Sequence, residues 1–430
     1  MNPCPGHQRA IGASLRCASL VTLLALTSLA SAQIDPEPRT NLELGVEGPF
    51  RGDGPVSGYG FLLWNRPHFL HEDLYWRVVV APTFLTSELV RDRWPASGHA
   101  IGVGLGGGFF PYNFDEFRNG VHKERESFWG HGGEVTLSYY RRLKIADLVP
   151  IEGQLRLRPQ YVVYQGARDT DSRFRLPADT AIYEGRAGIR VGGEPPELLP
   201  EVAVELSVWY EPSYRQEADA YGFPERRQAL HHVAQRSWAR AGGVATLWKT
   251  HTARIFVTGG TAENADPLSS FRLGSALPFR REFPLVLHGY YVDEVFARRF
   301  WLVNLSYRFP IWPGSERLKL QLAADYARVD YLGGHELPRK GLRGVGADLS
   351  IALTARLTVV LGYGYGLDAP RGNRFGGHEA NALIEVKFHS QVLKHFDTPR
   401  IFLALWIEAL RAPALPAQLL LGGGSEGGQS

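Results

Sequence analysis

From about residue 40 onward the sequence alternates, and the runs of alternation are long. Between Arg356 and Asp368, Leu357, Val359, Leu361, Tyr363, Tyr365 and Leu367 share one face. Arg356, Thr358, Val360, Gly362, Gly364, Gly366 and Asp368 share the other, which is small or polar apart from Val360. A period of two marks a strand whose two faces meet different surroundings. In 201–211, Val202, Val204, Leu206, Val208 and Tyr210 oppose Glu201, Ala203, Glu205, Ser207 and Glu211. The stretches 317–326 and 379–388 behave alike, and further candidates lie at 42–49, 57–65, 74–85, 99–110, 132–143, 153–164, 181–191, 237–248, 252–260, 296–309 and 342–354. Many of these fifteen segments reach ten residues or more. Soluble strands average about 5–6 residues, whereas crossing a bilayer takes roughly 9–11. Aromatics such as Trp301, Tyr307, Phe309, Tyr161 and Tyr164 fall near segment ends, as interfacial girdles do.

The connections alternate too. Those at 111–131, 165–180, 213–236 and 261–284 are long, and those at 144–152, 192–200, 249–251, 310–316 and around Ala355 are short. Short turns at one end and long loops at the other are the habit of bacterial outer-membrane barrels. With both termini on the periplasmic side the strand number is even, so one strand is uncounted in the N-terminal third. The fold expected is all-β: a transmembrane, antiparallel, up-and-down β-barrel of sixteen strands, within a range of about 14–16. Arg156, Arg158 and Gln160, alternating with Leu155, Leu157 and Tyr161, predict a polar lumen.

Composition agrees. At 44% hydrophobic, 12% aromatic and 21% charged residues, the chain is neither a helical multi-span protein nor a disordered polyelectrolyte. Residues 1–32 read as an export signal, with Arg9 and Arg16 before an apolar Leu20–Leu29 and a small-residue site at Ala30-Ser31-Ala32. Both cysteines, Cys4 and Cys17, lie inside it, so the exported chain has no thiol for a disulfide or a metal. Removing Arg9 and Arg16 from the 47 basic residues leaves 45 against 44 acidic ones, which gives no reason to expect nucleic acid. The expected division is 1–32 signal peptide, 33–40 periplasmic lead, 41–388 barrel and 389–430 extension. In the extension, Asp397-Thr398-Pro399 resembles a helix start, Ile401–Leu410 is apolar apart from Glu408, and Gly422–Ser430 predicts disorder. A short helix or an irregular tail both fit.

Chemistry-bearing motifs are sparse. Gly102-Val103-Gly104-Leu105-Gly106-Gly107 matches a dinucleotide fingerprint in letters but not in strand-then-helix context, so glycines on a curved strand are the better reading. His131-Gly132-Gly133 has no Gly-x-Ser-x-Gly elbow to serve. His68, His71 and Glu72 sit in a loop after Pro67 rather than on a rigid element that could converge them on a metal. No serine and histidine are singled out as a nucleophile and its base. No enzyme activity and no cofactor are expected.

Residues 271–388 resemble the C-terminal barrel half of the Omp85 superfamily, the bacterial surface antigen or BamA/TamA-like group. Phe271-Arg272-Leu273-Gly274 looks like the start of that family's long sixth loop, and His288-Gly289-Tyr290 stands where Arg-Gly-Phe or Arg-Gly-Tyr is usual. Asn304-Leu305-Ser306-Tyr307-Arg308-Phe309-Pro310 resembles an Asn-x-Glu-Tyr-Arg-x-Pro strand, Asp325 occupies an expected acidic position, and Gly344-Val345-Gly346-Ala347-Asp348-Leu349 a glycine pattern. The last strand ends in an aromatic, Phe388. The resemblance implies a loop six folded into the lumen and latched to acidic residues. The latch candidates are His288, Gly289, Tyr290, Asp325 and Arg308. Arg280, Arg281, Arg298 and Arg299 are alternatives, and His288 would pair with Asp325 when protonated, making the latch pH-sensitive. Little sequence precedes the first strand, so the chain looks like a member without POTRA domains.

The function implied is membrane-protein insertion, assembly or transport, with a polypeptide or lipid substrate. A passive diffusion pore or structural barrel is the alternative. The expected surroundings are outer-membrane lipid and the barrel assembly machinery for the chain's own insertion.

Overall fold

The long two-faced segments form strands with inverted polarity. On the segment 149–166, Leu155, Leu157 and Tyr161 are 56%, 61% and 54% exposed, while the intervening Gln154 and Gln160 are buried. Apolar residues outside and polar residues inside are the arrangement a lipid-wetted cylinder requires, since every backbone polar group must then be satisfied between strands. The computed structural model describes residues 35, 37–52, 54–81, 83–109, 112–145, 149–193, 199–276, 283–315 and 317–388. The signal expected at 1–32, the tail at 389–430 and the latch alternatives Arg280 and Arg281 lie outside them.

The barrel strands are β1 Arg39–Pro49, β2 Ser57–Pro67, β3 Leu74–Ala81, β4 Phe84–Asp92, β5 His99–Gly108, β6 Phe128–Ile145, β7 Val149–Gly166 and β8 Thr180–Gly192. They continue as β9 Ala203–Arg215, β10 Val233–Leu247, β11 His251–Glu263, β12 Val295–Pro310, β13 Leu318–Tyr331, β14 Gly341–Ala352, β15 Leu357–Arg371 and β16 Arg374–Lys387. Each pairs antiparallel with its neighbours in sequence, and β1 pairs with β16 to close the sheet as a sixteen-stranded barrel. A short strand, Phe271–Leu273, adds to the same sheet beside β12.

The strand missing from the sequence reading is β4. The expected segment 74–85 runs through β3 into the start of β4, because only Pro82 and Thr83 separate the apolar Val78, Val79, Val80 and Ala81 from Phe84 and Leu85. The glycine-rich string 102–107 lies on β5, where the glycines face Glu88, Thr136 and Glu134 of neighbouring strands. Tyr164 does not join an interfacial girdle: it faces inward and lines a luminal cavity.

The end with long connections is closed by a cap. Phe114, Phe117, Phe174, Tyr221, Leu230, Tyr291 and Leu332 come from five connections and pack with Phe128 and Phe296 into one apolar core. Two short hairpins, Phe117–Arg118 with Val121–His122 and Tyr221–Phe223 with Arg226–Gln228, stiffen it.

Candidate functional site

The connection between β11 and β12, the sixth on the long-loop side, turns inward. Its two legs are tied where they leave the wall. Phe271–Leu273 pairs with Val295–Ala297, and Arg272 donates from Nε to the Asp293 carbonyl at 2.8 Å and from Nη2 to the Asp115 carbonyl in the cap at 2.6 Å. The Arg272 guanidinium also lies over the rings of Phe296 and Phe114, at 3.9 and 4.9 Å.

The tip is held on β13. Asp325 accepts three hydrogen bonds: from the His288 backbone N–H at 2.8 Å, from His288 Nδ1 at 2.5 Å, and from Asn304 Nδ2 of β12 at 2.7 Å. Asn304 Nδ2 also reaches the Val286 carbonyl at 2.9 Å, so one side chain fixes both the carboxylate and the loop. Burial would push the His288 imidazole down. The Asp325 carboxylate and its hydrogen bond outweigh that, helped by Asp348 and Glu47, and raise it to about 9. His288 is therefore the charged partner of a buried ion pair at neutral pH, and its switching range is alkaline rather than between acid and neutral.

The loop reaches the first and last strands as well. Gly289 N–H donates to Glu379 on β16 at 3.3 Å, the Ser275 hydroxyl bonds Glu47 on β1, and Ala276 N–H donates to Glu47 at 3.0 Å. Arg371 grips Glu294 with two bonds of 2.7 and 2.9 Å while stacking on Tyr291 at 3.8 Å. Tyr290 and Leu287 are fully buried.

Glycines make the room. A Cβ on Gly344 would meet the His288 carbonyl at 2.5 Å, one on Gly364 would meet the Gly289 nitrogen at 2.7 Å, and one on Gly346 would overlap the His288 ring. Gly289 has φ of +78°, and a Cβ there would overlap the main chain of Tyr365 and Gly366. Both its conformation and its close approach demand glycine.

Of the sequence candidates, the structure brings His288, Gly289, Tyr290 and Asp325 together. Arg308 stands apart, near the short-turn end of β12, where it donates to the Pro200 carbonyl and Thr252 Oγ1, both at 3.3 Å. Arg298 and Arg299 are exposed on β12 and make no latch. Phe388 follows the last strand, which ends at Lys387, and is 39% exposed. Sequence reasoning missed Asn304, Glu47 and Glu379 as latch partners. Asn304 stood in the quoted strand motif, and Glu379 stood on the polar face of the last alternating segment. Among the described residues, no group of three or more His, Cys, Asp or Glu side chains is placed to hold a metal.

No protein-family model matches the sequence, and no curated protein matches it. Solved structures do. CdiB from Escherichia coli aligns with a TM-score of 0.53 at 12% identity, covering 82% of this chain and 63% of that one. CdiB from Acinetobacter baumannii aligns with a TM-score of 0.52 at 13% identity, covering 81% and 60%. The chain shares the barrel fold of these two CdiB structures. It spans about 60% of the length of the CdiB chains. BamA from Haemophilus ducreyi lacking POTRA domains 1–3 aligns with a TM-score of 0.49 at 9% identity, covering 82% and 71%. The closed barrel with its apolar outer face is that of an outer-membrane protein, and that face is the surface that meets lipid.

Proposed function

We propose that this Omp85-like barrel moves or inserts a polypeptide or lipid across or into the outer membrane, and does not serve as an open diffusion pore. The observation that carries the reading is loop six: it sits in the lumen on a glycine-lined seat and is pinned by the His288–Asp325 pair. Barrels whose interior is plugged by a loop differ from open, water-filled channels, and a pinned loop six puts this chain with the former. The aromatic cap supports the same reading, because it lies over the end through which solutes would enter. For its own insertion the chain would rely on the barrel assembly machinery. In planar bilayers the intact protein is expected to conduct poorly, and deleting residues 271–292 is expected to raise conductance severalfold while heat-modifiable gel mobility is retained. A large, steady, solute-selective current from the intact protein would instead establish a pore.

A further inference from the structure

Beside loop six, on the side away from the latch, the lumen keeps a cavity of about 590 Å³, within the roughly 300–1,000 Å³ usual for small-molecule sites. Its wall carries Arg156, Arg158, Arg186, Arg215, Arg236 and Arg272. Glu184, Glu211 and Asp293 oppose them within the same lining, and Glu88 and Glu134 approach Arg156 and Arg158 at 3.8 and 3.7 Å from outside it. The arginines are held, not loose. Arg158 is bonded to Glu184, and Glu211 bridges Arg186 at 2.8 Å and Arg236 at 3.0 Å. Arg215 is braced from behind by Asp266 at 2.8 Å. Aromatic faces complete the lining: Trp238 against Phe283 of loop six at 4.6 Å, and Phe271 against Phe300 at 4.9 Å.

We propose that this cavity binds an anionic, hydroxyl-rich ligand, a phosphorylated saccharide. Three features converge on that chemistry. Pre-oriented guanidinium groups match phosphate oxygens in pairs. Carboxylates interleaved with them accept hydroxyl hydrogens, and flat apolar rings suit the C–H face of a sugar. The opposite wall, across loop six, carries Asp325, Asp348, Glu379, Glu43 and Glu47, which directs an anion toward the arginine side. The site is distinct from the latch and does not depend on the transport reading.

The test uses the full chain in nanodiscs, with binding followed by calorimetry and by tryptophan fluorescence, to which Trp238 contributes. Three probes separate the sources: glucose 1,6-bisphosphate as a free sugar phosphate, bisphosphorylated lipid A disaccharide as a lipid headgroup, and neutral maltose. At least one phosphorylated probe is expected to bind at least tenfold tighter than maltose. Arg236→Gln, which leaves Glu211 paired with Arg186, is expected to weaken it by about tenfold or more, roughly 1.4 kcal/mol. Arg158→Gln should act in the same direction, with heat-modifiable mobility confirming that each variant is folded. The tighter of the two phosphorylated probes identifies the source. Failure of both to bind, equal binding of maltose, or binding that ignores both arginine substitutions would overturn the proposal.

Discussion

At the scale of the residue, His288 decides how firmly loop six is held. Its imidazole is raised from an ordinary 6.5 to about 9 by Asp325. A group raised on docking contributes fully below its free value and loses that contribution as pH climbs through the docked one. The latch should therefore be intact at pH 6 and 7 and released above about pH 9, with about 3 kcal/mol of docking at stake. Limited proteolysis of loop six across pH 6 to 10 checks this. The wild type should become cleavable at the alkaline end, whereas His288→Ala should be cleavable throughout. Asp325→Asn removes the carboxylate that keeps His288 charged, so burial returns the imidazole to its neutral form, the ion pair is lost, and the loop should loosen about as much as in His288→Ala. Equal protection of wild type and His288→Ala at neutral pH would rule the latch out. Gly346→Val tests the seat itself: with the ring of His288 intact but its space filled, the loop should again be cleavable at pH 7.

At the scale of the element, the closing pair β1 and β16 differs from its neighbours in charge more than in length. It runs in register from Asn41 opposite Lys387 to Pro49 opposite Glu379, longer than the β2–β3 pairing. Yet Glu43 stands directly opposite Glu385 on the luminal face, both buried, with Tyr59 of β2 alongside. Two buried carboxyl groups directly opposite cannot both ionise without cost, and they weaken a strand pair. Glu47 and Glu379, further along, are met by loop six through Ser275, Ala276 and Gly289, while Lys387 approaches Glu385 at 3.7 Å. Glu43→Gln should therefore strengthen closure by up to about 1 kcal/mol. The midpoint of the heat-modifiable gel shift should rise, and a cysteine pair at the outward partners Leu44 and Ile384 should cross-link faster. A midpoint that falls would mean the carboxylates help to hold the seam. None of this was visible in one dimension. The strands themselves were, because a period of two survives in the sequence whatever the partner, and β4 escaped only where two apolar strands meet at a tight turn. His288 and Asp325 were reachable through the family resemblance. The opposition of Glu43 and Glu385 depends on joining the two ends of the chain, and the seat glycines on which loop lies over them, so local patterns could not reveal either.

At the scale of the whole molecule, the lumen is crossed by loop six and covered at its long-loop end by the cap, and the groups that tie the two are shifted in opposite directions. The cap's core draws on Phe114, Phe174, Tyr221 and Leu332, from separate connections with no shared period, which is why it could not be read from the sequence. Its polar tie is Glu116, which meets His335 at 3.0 Å and Arg118 at 2.8 Å. Burial pushes the Glu116 carboxyl up, but His335, Arg118 and Arg272 together hold it below its usual 4.5. A group depressed in the folded state contributes above its free value and loses that contribution as pH falls through the folded one. Acid should thus loosen the cap, and alkali the latch. Conductance in planar bilayers should be lowest between about pH 4.5 and 6.5, rise below that range, and climb on the alkaline side as pH approaches about 9. Glu116→Gln should flatten the acid limb, leaving a constant small leak, and His288→Ala should do the same to the alkaline limb. Because loop and cap lie one behind the other along one bore and each limits the current, the double variant should leak across the whole range by more than the two single leaks added together. Simple addition of those leaks would mean that cap and loop guard separate paths rather than one.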